Sequence, residues 1–196
     1  MVRSDTREKI IRTGGEIIAR HGFGTTGINA VLSAAGIPKG SFYHYFPSKN
    51  DFGLAVIDAY ASDYDARLEA LLGDTRHSPL QRLRAFFETG IEEMQSSECV
   101  NGCLIGTLGQ ELAAHNELFR ARLDDVFAGW ERRISACVAA AREAGEIAAE
   151  IDADDVAGFL LAGWEGAILR AKVIKSVRPM QRFVHVVFSQ VLPRSG

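Results

Sequence analysis

The segment Gly22 to Pro47, GFGTTGINAVLSAAGIPKGSFYHYFP, restricts the fold more than any other part of the chain. Ile28, Val31, Leu32 and Ala35 recur at helical spacing, Thr26 stands where an N-cap is expected, and Gly36 supplies a left-handed stop. The resulting helix is barely ten residues long. Ile37 then packs, Pro38 suits a first helical turn, and Lys39 to Phe46 forms a second, shorter helix that Pro47 ends. Before them, Asp5 as N-cap with Glu8 three residues on opens a longer helix in which Ile10, Ile11, Ile17 and Ile18 repeat until Gly22. Two short helices joined by a tight glycine turn and packed on a longer one make a helix-turn-helix unit.

Beyond Pro47 every periodic segment again reads as helix. Ser48 with Asp51 starts one that runs to about Leu72, and further helices are expected over Pro79 to Ser97, Gly102 to Ala114, Glu117 to Ala144, Asp152 to Lys175 and Pro179 to Leu192. The fold class read is all-α, with a helix-turn-helix domain expected over residues 1–50 and a larger helical domain over 51–196. The start, MVRSDTREKI, carries charges where a signal peptide needs an apolar run, so a cytoplasmic protein without a membrane span is expected, and Cys99, Cys103 and Cys137 read as thiols. Residues 1–50 hold seven Lys/Arg against three Asp/Glu, a balance of +4, whereas the remainder holds 15 against 22, or −7. The basic end is the one suited to nucleic acid.

On the recognition helix, Phe42 and Phe46 lie one turn apart and face the small core, leaving Ser41, Tyr43, His44 and Tyr45 nearer the exposed side. Lys39 and Gly40 form its first turn. The absence of a bulky side chain at Gly40 lets the backbone approach DNA, and Ser41 can donate or accept at a base edge. Lys49 and Thr26 are expected to meet flanking phosphates. Enzyme-like patterns fail on context: GFGTTG fits G-x-G-x-x-G but follows a helix with no strand leading into it, and GIPKGS lacks Walker spacing. Neither a catalytic constellation, a metal-ligand set nor a cofactor motif is read.

Residues from about Asp5 to Ala55, above all AGIPKGSFYHYFPSKNDF, resemble the DNA-binding domain of TetR-family transcriptional regulators. The length and order of the other helices are similar to that family too, and NGCLIGTLGQELA resembles a subgroup that includes electrophile- and oxidant-responsive repressors. The resemblance implies a homodimer, paired through its last two helices as a four-helix bundle, that holds a pseudo-palindromic double-stranded DNA operator until a small-molecule or reactive effector releases it.

The residues bear on those expectations directly. Gly158, Ala162, Gly166 and Ala171 recur close to four-residue spacing and permit close helix approach, and Phe183, Val184, Val187, Phe188 and Val191 make a wide apolar stripe, so Gly163, Phe183, Val187 and Phe188 are expected at a dimer interface. Phe86, Phe87, Met94, Phe119, Phe127, Trp130 and Trp164 are available to line an apolar pocket, though most aromatics at helical spacing are plain core. Leu160, Trp164, Ile168 and Lys172 follow one another at four-residue steps, which puts an ammonium on an apolar stripe. Lys172 either snorkels at the helix end or meets Cys103, whose thiolate both a cation and a helix N-terminus would favour. Cys99 is then the resolving thiol and Cys137 inert. The alternative function is a cysteine-dependent thiol enzyme or scavenger using Cys103.

Overall fold

The computed structural model describes residues 2–193, and every regular element among them is helical. In chain order these are α1 (Val2–His21), α2 (Ile28–Ala34), a 3-10 turn (Lys39–Ser41) leading into α3 (Phe42–Tyr45), α4 (Lys49–Leu72), α5 (Pro79–Ser96), α6 (Leu104–Leu112), α7 (Glu117–Glu143), α8 (Ala153–Ile174) and α9 (Arg178–Val186), continued by a π-helical turn, Val187–Val191. Local chemistry sets the ends. Ser48 accepts from the Asp51 amide at 3.1 Å and donates to its carboxylate at 2.6 Å, opening α4. A capping box of Ser78 and Gln81, with Pro79 in the first turn, opens α5, and Asp152 accepts from two amides at the start of α8. Gly22 and Gly36 hold φ of +84° and +65°, the left-handed geometry that ends α1 and makes the turn after α2.

Several boundaries differ from those expected, two of them at α1 and α6. The first helix begins at Val2, so Asp5 lies within its first turn and favours the positive end of the helix instead of capping it. Gly102 stays outside α6, whose N-cap is Cys103, so the glycines inside that helix are Gly106 and Gly109.

Contacts divide the chain into two compact units: residues up to Asp63 together with Cys103–Val126, and Tyr64–Gly102 together with the chain from Phe127 onward. In the first, the rings of Phe42, Phe46 and Phe52 stand 5.2–5.6 Å apart, and a Cβ built on Gly14 would lie 2.2 Å from Phe52 Cζ. Close approach of α4 to α1 is what Gly14 permits. Ile10, Ile18, Val31 and Leu32 complete this core, and the hydrophobic side of each short helix is used up in it. The polar side is left outward.

In the second unit Phe87, Trp164 and Phe183 form a ring cluster with centroids 4.9–5.7 Å apart. Gly90 and Gly163 receive Trp164 and Phe183, since a Cβ at either would stand 2.7 or 2.6 Å from the ring. Of the seven residues available for a pocket, Phe86, Phe87, Met94, Trp130 and Trp164 are buried core here, whereas Phe119 is buried in the first unit against Phe23. Among the described residues no helix is long and apolar enough to cross a membrane.

Candidate nucleic-acid interface and thiol site

With Phe42 and Phe46 turned inward, Lys39, Gly40, Tyr43 and His44 are exposed, Tyr43 at 71%, while Ser41 and Tyr45 are half-buried at the edge of the same surface. Nothing lies within 4 Å of a Cβ built on Gly40. A cation, a bare backbone, a hydroxyl and two aromatic tips therefore share one outward surface on a rigid aromatic base. It suits phosphate contact through Lys39 and base-edge contact through Ser41 and Tyr43.

Two residues expected at phosphates are engaged elsewhere. Thr26 is 3% exposed, and its hydroxyl donates to the Gly22 carbonyl at 2.6 Å; the residue at the N-cap of α2 is Gly27, which makes no side-chain cap bond. Lys49 Nζ donates to the carbonyls of Phe23 at 2.7 Å and Gly24 at 3.2 Å and stands 4.6 Å from the centre of the Phe23 ring. Its charge is spent on the α1–α2 turn. The opposite side of that turn meets a residue that sequence reasoning missed: the Glu111 carboxylate accepts from the Phe23 amide at 2.8 Å and the Gly24 amide at 2.6 Å. The partners are 87 and 88 positions apart, so no local spacing could reveal them.

Cys103 caps α6: its sulfur accepts from the Gly106 amide at 3.4 Å, and the residue is 8% exposed. A sulfur in that position stands at the positive end of the helix. Lys172 lies along Gly102, the residue before it in the chain: a Cβ there would be 2.9 Å from Lys172 Cδ and 3.6 Å from its Nζ. Cys99 is buried with φ of 55°, next to Glu98 at 51°, and its carbonyl accepts from Lys175 Nζ at 3.3 Å. Two successive left-handed residues without glycine are a strained way to leave α5. Cys137 donates to the Pro79 carbonyl at 3.3 Å, and burial pushes its thiol up to about 11, so it stays protonated at neutral pH. Trp164 is packed among rings, which gives it a structural place.

The α8–α9 surface also differs from expectation in detail. Phe183 covers Gly163 from within the same chain, Val187 is fully buried in that chain's own core, and Phe188 packs near Phe87 with Arg84 over its ring. What remains open along α8 beyond its first turn is an apolar stripe of Phe159, Ala162, Gly166, Leu169, Val173 and Ile174, with exposed Arg170 beside it. Phe159 is 53% and Val173 64% exposed.

Comparison with known proteins fits this geometry. Residues 10–56 match the family described as bacterial regulatory proteins, tetR family, and residues 79–187 match the tetracyclin repressor-like C-terminal domain. The chain is 42% identical to the transcriptional regulator AcuR of Cereibacter sphaeroides, over 90% of this chain and 80% of that protein. It is 33% identical to the transcriptional repressor DhaR of Mycobacterium sp. strain GP1, over 98% and 96%. The crystal structure of the reduced form of Escherichia coli NemR superposes with a TM-score of 0.88 at 30% identity, covering 94% of this chain and 96% of that one. Matched over both its reading head and its helical remainder, the chain belongs to the TetR family and is a DNA-binding transcriptional regulator, not an enzyme.

Proposed function

We propose that this regulator is a homodimeric repressor, released from a pseudo-palindromic operator when Cys103 reacts with a small electrophile or oxidant. The observation that carries the reading is the position of the Cys103 sulfur as acceptor at the first turn of α6. Helix-end electrostatics supports thiolate there. With an activated alkene the thiolate forms a C–S bond and the far alkene carbon takes a proton from water. The adduct needs room that a residue at 8% exposure lacks, so the start of α6 must move. A relative crystallised in a form described as reduced is in keeping with thiol chemistry in this branch.

The dimer is assigned to the apolar stripe of α8, since exposed Phe159, Leu169 and Val173 on one helix are costly to leave in water. Two reading heads about one DNA turn apart, roughly 34 Å, then fit a two-fold site. The test is alkylation by N-ethylmaleimide across pH for wild type, Cys103→Ser and Lys172→Met, with release of bound DNA followed in parallel. Cys103 is expected to react well below the pH at which Cys137 does, and Cys103→Ser to stay on DNA after treatment. Release from the Cys103→Ser protein would move the switch elsewhere and leave a reversible small-ligand response as the better reading.

A further inference from the structure

The α1–α2 turn is gripped at both ends of its peptide groups. Glu111 takes the amides of Phe23 and Gly24, and Lys49 takes their carbonyls, so the peptide joining Phe23 to Gly24 lies between a carboxylate and an ammonium, and the peptide on either side of it is held at one end. Hydrogen bonds polarised in series between opposite charges strengthen one another. The turn has little slack: Thr26 ties back to Gly22 by its hydroxyl and to Phe23 by its amide, and Gly27, the N-cap of α2, follows at once. Lys49 belongs to the start of α4, close in sequence to the recognition helix. Glu111 belongs to α6, nine residues long, whose other end is capped by Cys103 and whose Ile105 and Leu108 are buried. A rigid helix of about 13 Å thus joins that cap to the turn that starts α2.

We propose that Glu111 is the positioning residue through which α6 and the DNA-reading helices set each other's state. When α6 shifts, the carboxylate carries the Phe23–Gly24 peptides with it and α2 changes its placement against the recognition helix. By reciprocity, fixing α2 and α3 on DNA must steady α6. This assignment rests on DNA binding alone and holds whether or not Cys103 is the trigger.

Amide hydrogen exchange of the full-length protein tests it, free and bound to a double-stranded DNA fragment selected by the wild type from a random library. In wild type, DNA is expected to slow exchange of residues 104–112 by about tenfold, the order of effect expected from holding a charge-assisted hydrogen bond. In Glu111→Gln, nearly isosteric but uncharged, residues 39–46 should still be protected by DNA while the response of 104–112 is lost. Lys49→Met should loosen residues 22–30 in the free protein and keep the α6 response, because the carboxylate remains. Glu111→Asp, with its charge but a shorter reach, serves as the second variant and should respond more weakly than wild type. Overturning results are an α6 segment indifferent to DNA in wild type, a full response in Glu111→Gln, or loss of the response in Lys49→Met as well. The last would make both residues general braces of the turn. A physical coupling of this kind is established by such paired responses and not by proximity.

Discussion

The reading head and α8 each rest on an aromatic ring laid over a glycine, Phe52 on Gly14 and Phe183 on Gly163, yet they present opposite surfaces outward. Around the recognition helix the open positions include Lys39, Gly40, Tyr43 and His44; along α8 they include the apolar Phe159, Ala162, Gly166, Leu169, Val173 and Ile174, with the cation Arg170 among them. The first gains by exchanging counterions and water for phosphates and base edges, so it must keep its charge solvated until DNA arrives. The second gains only by leaving water, so it suits a partner with a matching apolar face. Similar packing beneath a surface does not determine what it binds. The outward residue types do.

The strongest way to break that contrast is to give α8 the wrong surface. Val173→Asp costs the isolated chain little, because the side chain is 64% exposed. In a dimer built on this stripe it buries an unpaired carboxylate, at a cost of at least about 3 kcal/mol, or a rise of roughly 100-fold or more in the dimer dissociation constant. Sedimentation should show monomers at micromolar concentration, with operator affinity falling in step. A dimer of unchanged affinity would place the interface off α8.

Next in size is a pair of alanines on the same helix. Gly163→Ala pushes a methyl into Phe183 and is expected to lower chain stability by about 1–2 kcal/mol in urea unfolding. Gly166→Ala meets nothing within 4 Å, so chain stability should hold or rise by up to about 1 kcal/mol from helix propensity. If a second copy approaches there, Gly166→Ala weakens the dimer instead. Equal loss of chain stability in both variants would contradict the open and closed sides assigned to α8.

Much of this was legible in the sequence, because its signals are local. Ser48 with Asp51, Pro79 in a first turn and Gly36 after a short apolar stripe place helix ends without reference to the rest of the chain. Thr26 was not legible in the same way. A threonine before a helix can cap forward or bond back to the carbonyl four residues earlier, and the buried turn around Phe23 selects the second. Lys49 and Glu111 find their partners at separations of 25–26 and 87–88 residues, beyond any periodicity. The stripe on α9 looked two-sided for the same reason: Val187 and Phe183 are apolar whether they face their own core or a copy, and only the packing onto Gly163 tells which.

The two lysines sharpen the reading-head side of the comparison. Lys39 is exposed and Lys49 is bound into the turn, so their alanine variants should fail differently. Lys39→Ala is expected to flatten the dependence of log affinity on log salt by about 0.9 per protomer, with thermal stability unchanged. Lys49→Ala should leave the salt slope alone and lower the unfolding midpoint by about 2–4 °C. A flattened slope in Lys49→Ala would mean that the turn releases this lysine to a phosphate on DNA.

The smallest expected effect concerns Ser41, half-buried where the 3-10 turn enters α3 and adjacent in sequence to exposed Gly40. Its hydroxyl carries no charge, so removing it releases no counterion and the salt slope of Ser41→Ala should match wild type. What it can lose is one hydrogen bond at a base edge, about 1 kcal/mol, or a few-fold in affinity for the preferred sequence and less for others. Selection from a random DNA library should therefore return a motif relaxed at one position in each half-site, with the remainder intact. An unchanged motif would leave base discrimination to Tyr43 and to the sequence-dependent shape of the DNA, and the polar surface would then act on this side as a phosphate clamp.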